Sequence, residues 1–268
     1  MIQPNQMKSA LLQGRVQLGL WSGLNSNYAI EILAGSGYDW ITLDMEHAPN
    51  DMQRVLSQLQ ALAAYPVEPA VRLYQFDKDL VKQYLDMGVR ILIVPNVESA
   101  ELAQEIVDAT RYPTTGVRGV VGQSRANRWG RIKDYFSTAH EQLLVLAQIE
   151  SAKGVENARA IAAVKGVDGV FVGPNDLAAS MGLLGQYSHP DVQNSVEQVA
   201  RIMRDAGKVA GTLAFNDADA HRYLGWGYTM LGIGSDQGLL ARASDELVDR
   251  FRKVVAEGQG GQGTIPLA

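Results

Sequence analysis

Asp44, Glu46 and His47 arrive together where the apolar run Trp40–Leu43 ends, with Pro49 close behind. Carboxylates and an imidazole take up and release protons, and a β-branched apolar run is what a buried strand looks like. The spacing predicts a strand that delivers acid/base groups at its C-terminal end. His47 stands apart from His140, His189 and His221, which fall in expected helices or loops and read as surface residues. Asp44, three residues earlier, is placed to orient the His47 imidazole and raise its basicity.

Other apolar runs end in complementary groups. Arg72 lies at the end of Pro69–Leu73. A guanidinium there pairs with a structural carboxylate, Asp44 or Asp86, or holds a developing anion, and the two roles are compatible. Glu150 follows Leu143–Ile149 in "AQIES", and Asp176 follows Gly169–Val172 in "GPNDL". Two carboxylates on neighbouring strand ends, with no Cys or His between them, suit a hard divalent cation and leave positions for substrate and water. Taken alone, Asp176 reads equally well as a helix N-cap. Trp21, Pro95-Asn96, Gln148, Leu213 and Ser235-Asp236 close the remaining runs.

These groups need a scaffold that brings many strand ends together. Apolar runs recur at Val16–Trp21, Trp40–Leu43, Pro69–Leu73, Arg90–Val94, Leu143–Ile149, Gly169–Val172, Val209–Ala214 and Tyr228–Ile233. Between them Met52–Ala64, Ser99–Thr110, Asp191–Ala206 and Ser244–Ala256 carry helical spacing, with Ser99 as an N-cap. Gly37, Gly88 and Gly207 each end a helix shortly before the next strand. Eight β/α units predict an α/β fold, a single closed (β/α)₈ TIM barrel, and 268 residues match the roughly 250 that such a barrel takes. No GxGxxG follows the first strand, which counts against a dinucleotide fold.

Bulk properties narrow the partners. A net charge of −5 without a basic stripe argues against nucleic acid. No run approaches a membrane span, and the N-terminus lacks the apolar core of a signal peptide. With no Cys there is no thiolate chemistry, and a reducing, cytoplasmic setting fits. The barrel is expected over residues 1–257. Asn5–Gly14 is expected to form a helix plugging its bottom, and the low-complexity tail 258–268 to be disordered. The long segment Arg111–Arg131 holds five arginines. Arg125, near its middle, is expected to reach the barrel mouth and meet a distal carboxylate; for most of the five, a solvated loop or subunit contact is at least as good a reading.

The motifs "GLWSGL", "DWITLDMEHAPND", "AVRLYQFD", "ILIVPNVESAELA", "TRYPTTGVRGV", "RANRWGRI", "AQIES" and "GVDGVFVGPNDLAASMG" together resemble the HpcH/HpaI family of metal-dependent (class II) pyruvate aldolases, from about Gly19 to Ala256. This family includes 4-hydroxy-2-oxoheptanedioate and 2-dehydro-3-deoxyglucarate aldolases. The resemblance implies a barrel, a divalent metal ion (Mg²⁺, Mn²⁺ or Co²⁺), and reversible cleavage of a 4-hydroxy-2-oxo acid to pyruvate, or hydroxypyruvate, and an aldehyde. It implies Glu150 and Asp176 as metal ligands, Arg72 as the group neutralising the enolate oxygen, and His47 with Asp44 as an acid/base dyad. It implies Gln148 as a hydrogen-bond donor, the backbone from Gly173 and Pro174 through Asn175 and Asp176 as a carboxylate cradle, and Leu213 in the aldehyde pocket. It also implies a homo-oligomer, a trimer of dimers (hexamer), with the last helix exchanged between subunits. Trp21, at the end of the first strand, belongs with the substrate-binding set.

Three rival readings make different demands on the sequence. A Schiff-base aldolase needs a Lys at a strand's C-terminal end, and none of the eight lysines ends a strand. An acyl-CoA lyase or synthase needs an adenine and pyrophosphate site, and no clear one is present. A non-catalytic oxoacid-binding barrel would not require the intact acid pair and dyad.

Overall fold

Each apolar run that alternates its inward and outward residues becomes one stave of a closed barrel. The computed structural model describes residues 2–260. The strands are β1 (Gln17–Ser22), β2 (Trp40–Asp44), β3 (Glu68–Arg72), β4 (Ile91–Val94), β5 (Leu144–Ile149), β6 (Gly169–Val172), β7 (Val209–Leu213) and β8 (Met230–Ser235). All neighbours pair in parallel, and β1 closes on β8. The expected (β/α)₈ barrel is the observed one.

The helices are α1 (Gln6–Leu12), α2 (Asn27–Ala34), α3 (Met52–Leu62), α4 (Lys78–Met87), α5 (Ala100–Thr110), α6 (Tyr135–Thr138), α7 (Ala152–Glu156), α8 (Ala158–Ala163), α9 (Pro174–Ser180), α10 (Pro190–Asp205), α11 (Asp217–Trp226) and α12 (Asp236–Gly260). Ser26, Asp51 and Ser99 start α2, α3 and α5 by accepting backbone N–H groups from Ala29, Arg54 and Leu102. Gly88 stops α4 in the left-handed conformation, at φ 97°, that a Cβ would disfavour. On α3 the buried stripe is Val55, Leu59 and Leu62. Full burial of each contributes about 1.5–3 kcal/mol.

Strand alternation sorts two cores. Ile41, Leu43, Val71, Leu92, Val94, Val145, Ile149, Val170 and Val172 face outward into the layer shared with the helices. Trp21, Trp40, Ala70, Ile91, Ile93, Leu144, Leu146, Phe171, Val209 and Met230 face inward. Three rings fill much of the interior: Trp21 and Trp40 meet edge to face at 6.0 Å, and Phe171 lies 5.2 Å from Trp21. Glycines make the space. A Cβ on Gly19 would overlap the Trp40 indole, one on Gly211 would stand 2.7 Å from Phe171, and one on Gly232 2.6 Å from Leu213.

The bottom is closed as expected. Met7 and Leu11 of α1 join the inner cluster. Lys8 holds the plug by an ion pair to Asp168 at 2.9 Å. At the other terminus α12 begins well before Ser244, at Asp236, directly after β8. The tail expected to be disordered from Gly258 instead continues α12 through Gly260, and residues 261–268 lie outside the described residues. No described helix is long and apolar enough to cross a membrane.

Candidate active site

The same alternation that fills the interior raises polar groups to its upper rim. Continuing Trp40 and Thr42 by two gives Asp44. Continuing Ala70 gives Arg72, and continuing Leu144 and Leu146 gives Gln148 and then Glu150. All four are buried at the C-terminal mouth, with Asp44 4 %, Arg72 7 % and Glu150 5 % exposed. Buried charges at that level need partners.

Asp44 and Arg72 sit opposite each other in the β2–β3 register and form a two-point pair, Nε to Oδ1 at 2.9 Å and NH2 to Oδ2 at 2.6 Å. Asp44 also accepts the backbone N–H groups of Glu46 and His47. The Arg72 guanidinium lies over the Trp21 ring, 5.2 Å from its centroid. This corrects the expected dyad. The Asp44 carboxylate is committed to Arg72, and its link to His47 runs through the backbone N–H rather than the imidazole. Of the two partners anticipated for Arg72, Asp44 takes it, while Asp86 pairs with Arg118 at 2.7 Å.

Glu46, whose role the sequence left open, turns inward. Its Oε2 stands 3.1 Å from Arg72 NH1. Burial pushes its carboxyl up to about 7; the Arg72 cation opposes this, and the carboxylates of Glu150, Asp44 and Asp176 reinforce it. Arg72 thus donates hydrogen bonds from two nitrogens to Asp44 and is approached on the third by Glu46, whose buried Oε2 makes no hydrogen bond.

Glu150 accepts the Asn96 N–H at 2.8 Å through Oε1 and a very short hydrogen bond from Gln148 Nε2 through Oε2. Burial raises its pKa, the hydrogen bonds from Gln148 and Asn96 lower it, and Asp176 raises it further. Gly173 leaves room for it, since a Cβ there would lie 2.8 Å from Glu150 Oε2. Gln148 thus donates to Glu150, and its Oε1 is buried without a partner. Asp176 lies exposed in the first turn of α9, after Gly173 and Pro174. Among the described residues no three His, Cys, Asp or Glu side chains cluster into a metal cage. The residues present fit a divalent ion held on few protein ligands: a buried carboxylate raised by burial, a second carboxylate facing it, and an orphaned amide oxygen beside them.

A cleft of about 280 Å³ opens over these groups. Trp21, His47, Arg72, Gln148, Gly173–Asp176 and Leu213 all line it. The structure brings the expected residues to this cleft or, for Asp44 and Glu150, into contact with the Arg72 and Gln148 that line it, with one exception.

Arg125 is that exception. Its NH1 donates to the Met87 carbonyl at 2.6 Å and its NH2 reaches the Leu59 carbonyl at 3.4 Å. Those carbonyls belong to the last turns of α4 and α3, at the N-terminal face of the barrel, where Arg125 lines a separate cleft of about 930 Å³. The reason was present in the chain order. The segment follows α5, not β4, and a helix-to-strand connection returns to the strands' N-terminal ends. Its other arginines are largely engaged too: Arg118 is buried on Asp86 and stacks on Tyr112 at 4.5 Å, and Arg131 donates to the Arg128 carbonyl.

Two mouth residues have roles that the sequence does not assign. Asp236 reads there only as one of the polar groups closing the eighth run. It is buried and accepts from Ser22 Oγ and from the backbone of Gly23, Leu24 and Gln237, tying β1 to β8. Arg242 lines the cleft from α12. Starting the last helix at Asp236 instead of Ser244 would have placed it there.

Residues 17–243 match the HpcH/HpaI aldolase/citrate lyase family. The chain belongs to that family. It is 49% identical over 248 residues, 92% of this chain and 95% of the relative, to 4-hydroxy-2-oxo-heptane-1,7-dioate aldolase of Escherichia coli. It is 47% identical over 250 residues to hydroxypyruvate/pyruvate aldolase of Chromohalobacter salexigens, covering 93% and 98% of the two chains. The crystal structure of an HpcH/HpaI aldolase/citrate lyase family protein from Burkholderia cenocepacia J2315 superposes with a TM-score of 0.90 at 42% identity, covering 92% of this chain and 99% of that one. As an HpcH/HpaI member with named aldolases this close, the chain is a carbon–carbon lyase.

Proposed function

We propose that the chain is a divalent-metal-dependent aldolase that cleaves a 4-hydroxy-2-oxo acid to pyruvate, or hydroxypyruvate, and an aldehyde. The observation that carries this is a pinned guanidinium, Arg72, sharing one cleft with Asp176 and with Gln148, which is bonded to the buried carboxylate of Glu150. Cleaving the C3–C4 bond leaves electrons on the oxygen at C2, and a cation fixed beside that oxygen stabilises the transition state without reorganising. Asp44 and Glu46 supply that fixity by holding Arg72 from two sides.

Glu150 and Asp176 are the residues that would hold the metal, with Gln148 Oε1 next to them. Mg²⁺, Mn²⁺ or Co²⁺ bound there supplies Lewis-acid stabilisation of the same developing charge. A family that is typically divalent-metal dependent supports the reading. First-turn N–H groups of α9, at Asn175 and Asp176, have no intrahelical acceptor and suit the substrate's carboxylate. His47, exposed on the cleft wall, is the group we assign to receive the proton of the 4-hydroxyl, directly or through water. Leu213 and Trp21 bound the aldehyde end.

The working form is proposed to be a homo-oligomer, a hexamer with α12 exchanged between subunits. Leu239, Leu240, Leu247, Val248, Phe251, Val254 and Val255 of α12 are exposed in one protomer, which supports burial of that helix against another copy.

The deciding experiment is condensation of pyruvate with an aldehyde panel, with added divalent metal, followed by product mass. Formation of 4-hydroxy-2-oxo acids that requires the metal is the expected result. No product with any aldehyde, or full activity in excess chelator, would overturn the proposal.

A further inference from the structure

The lining of the cleft is of two kinds. Arg72, Gln148 and Asp176 bring charge and hydrogen bonds, whereas Leu213, Phe215 and Ile233, from the ends of β7 and β8, bring apolar surface. Phe215 stands two residues past the end of β7 and is 44 % exposed. We infer that Phe215 is a specificity determinant on the aldehyde half of the cleft, held as a fixed platform by Tyr187, and that it selects aldehydes bearing an aryl group over hydroxylated ones. This inference rests on the pyruvate aldolase reading of the same cleft and names its aldehyde class.

A phenylalanine this exposed ordinarily turns between rotamers. Phe215 is backed. Tyr187, in the connection between α9 and α10, packs on its ring with centroids 4.7 Å apart and planes at 60°, within the range that aromatic pairs favour. Tyr187 is in turn held at both ends. Its carbonyl accepts from Gln193 Nε2 at 2.7 Å, and its hydroxyl donates to Asp219 Oδ2 at 3.4 Å. Both anchors are buried. Asp219 also accepts from the Asn216 amide at 2.8 Å and lies 3.6 Å from Arg222, which donates to Gln193 Oε1 at 2.9 Å. The anchors thus close into one network on α10 and α11. A buried carboxylate is costly to strip of its partners, so the network that satisfies Asp219 also fixes Tyr187.

A backed ring on a cleft wall is a surface prepared for another apolar surface. Its orientation is set before the ligand arrives, so less of the contact is lost to ordering. An aryl group laid against it gains both burial and ring–ring geometry. A hydroxyl set against the same wall gives up water and finds neither donor nor acceptor on the side chains of Leu213, Phe215 and Ile233. A cleft of about 280 Å³ is small for a ligand pocket and suits pyruvate joined to one compact ring.

The test uses two non-cleavable analogues that lack the 4-hydroxyl, 2-oxo-4-phenylbutanoate and 5,6-dihydroxy-2-oxohexanoate, the 4-deoxy forms of the benzaldehyde and glyceraldehyde adducts of pyruvate. Calorimetric Kd values are measured on the metal-supplemented protein. Both ligands carry the same 2-oxo acid head, so the ratio of their Kd values reads the tail alone. A general weakening of the fold or of the head's site moves both values and leaves the ratio. The parent is expected to prefer the phenyl ligand by about tenfold or more, the range of a partly buried ring. Phe215→Ala erases most of the preference and Phe215→Trp keeps it. Tyr187→Ala lowers it, and Tyr187→Phe, which keeps the stacked ring and removes only the hydroxyl, lowers it less. No preference in the parent, or an undiminished one in Phe215→Ala, overturns the specificity assignment. An undiminished preference in Tyr187→Ala overturns the positioning role of Tyr187. These binding ratios do not depend on turnover, so failure of pyruvate condensation overturns the aldolase reading separately.

Discussion

The two ends of the barrel both carry arginines beside a cleft, and they use them in opposite ways. At the C-terminal mouth Arg72 is gripped by Asp44 and Glu46 yet still lines an open cavity. At the N-terminal end, beside a cleft more than three times larger, Arg125 points at the carbonyls of two helix C-termini, and Arg90 is locked on Glu68 at 2.7 Å. Cations there meet helix-end carbonyls and satisfy what the helices leave unpaired. Cavity size alone therefore points to the wrong end. The difference lies in whether unlike polar groups converge on a shared point, which happens only where eight strands end together.

The comparison is broken most directly at Glu150. Glu150→Gln, or chelation of the parent, should abolish cleavage of 4-hydroxy-2-oxo acids, and Mg²⁺, Mn²⁺ or Co²⁺ should restore the chelated parent. Borohydride added with pyruvate should trap no lysine adduct, as read by intact mass. Next in size is Arg72→Ala, which should lower kcat about 10²–10³-fold, as loss of one oxyanion donor does. Steady-state kinetics showing a change only in KM would remove Arg72 from the transition state.

Arg125→Ala sharpens the contrast from the other end. It leaves the carbonyls of Leu59 and Met87 without that donor, so it should cost about 1–3 kcal/mol of stability. That would lower Tm by several degrees, with KM for acid-bearing and neutral aldehydes moving together. A selective loss on acids would return Arg125 to the substrate.

The smallest effect is at Glu46. Its pKa rises on folding from 4.5 to about 7, so folding takes up a proton between those values. The stabilisation is full below about 4.5 and is lost as pH rises through about 7. Glu46→Gln should therefore be more stable than the parent above pH 7, by about 1–2 kcal/mol after solvent screening, with the difference shrinking toward pH 4.5. Chemical denaturation of the chelated proteins across pH measures it, and a constant difference would mean that Glu46 stays ionised.

Much of this was legible in the chain. The eight runs fixed the staves, and the period of two within each fixed which acids and which arginine face inward. Asp44, Arg72, Gln148 and Glu150 follow from counting alone. What escaped notice depends on three-dimensional partners. Nothing in "DMEH" says that Asp44 will turn to a neighbouring strand rather than to His47, because the Arg72 guanidinium that captures it arrives 28 residues later. Arg242 was hidden by the late start assigned to the last helix, since Ser235 and Asp236 read as strand-end polar groups until they are seen capping it. Arg125 differs for a plainer reason: the helical spacing of Ser99–Thr110 is legible in the chain, and a segment that follows a helix returns to the N-terminal ends of the strands and not to the mouth.

Gly19, Gly211 and Gly232 carry a lesson for anyone comparing this chain with its relatives. Each is inside the barrel, and any replacement adds at least one carbon where an aromatic ring or Leu213 already stands. Selection against replacement at these positions would act through volume and would persist in a barrel that had lost its chemistry altogether. Invariance at a glycine near this mouth is thus a record of the rings beside it, and an ancestor or paralogue with smaller rings would be free to vary there.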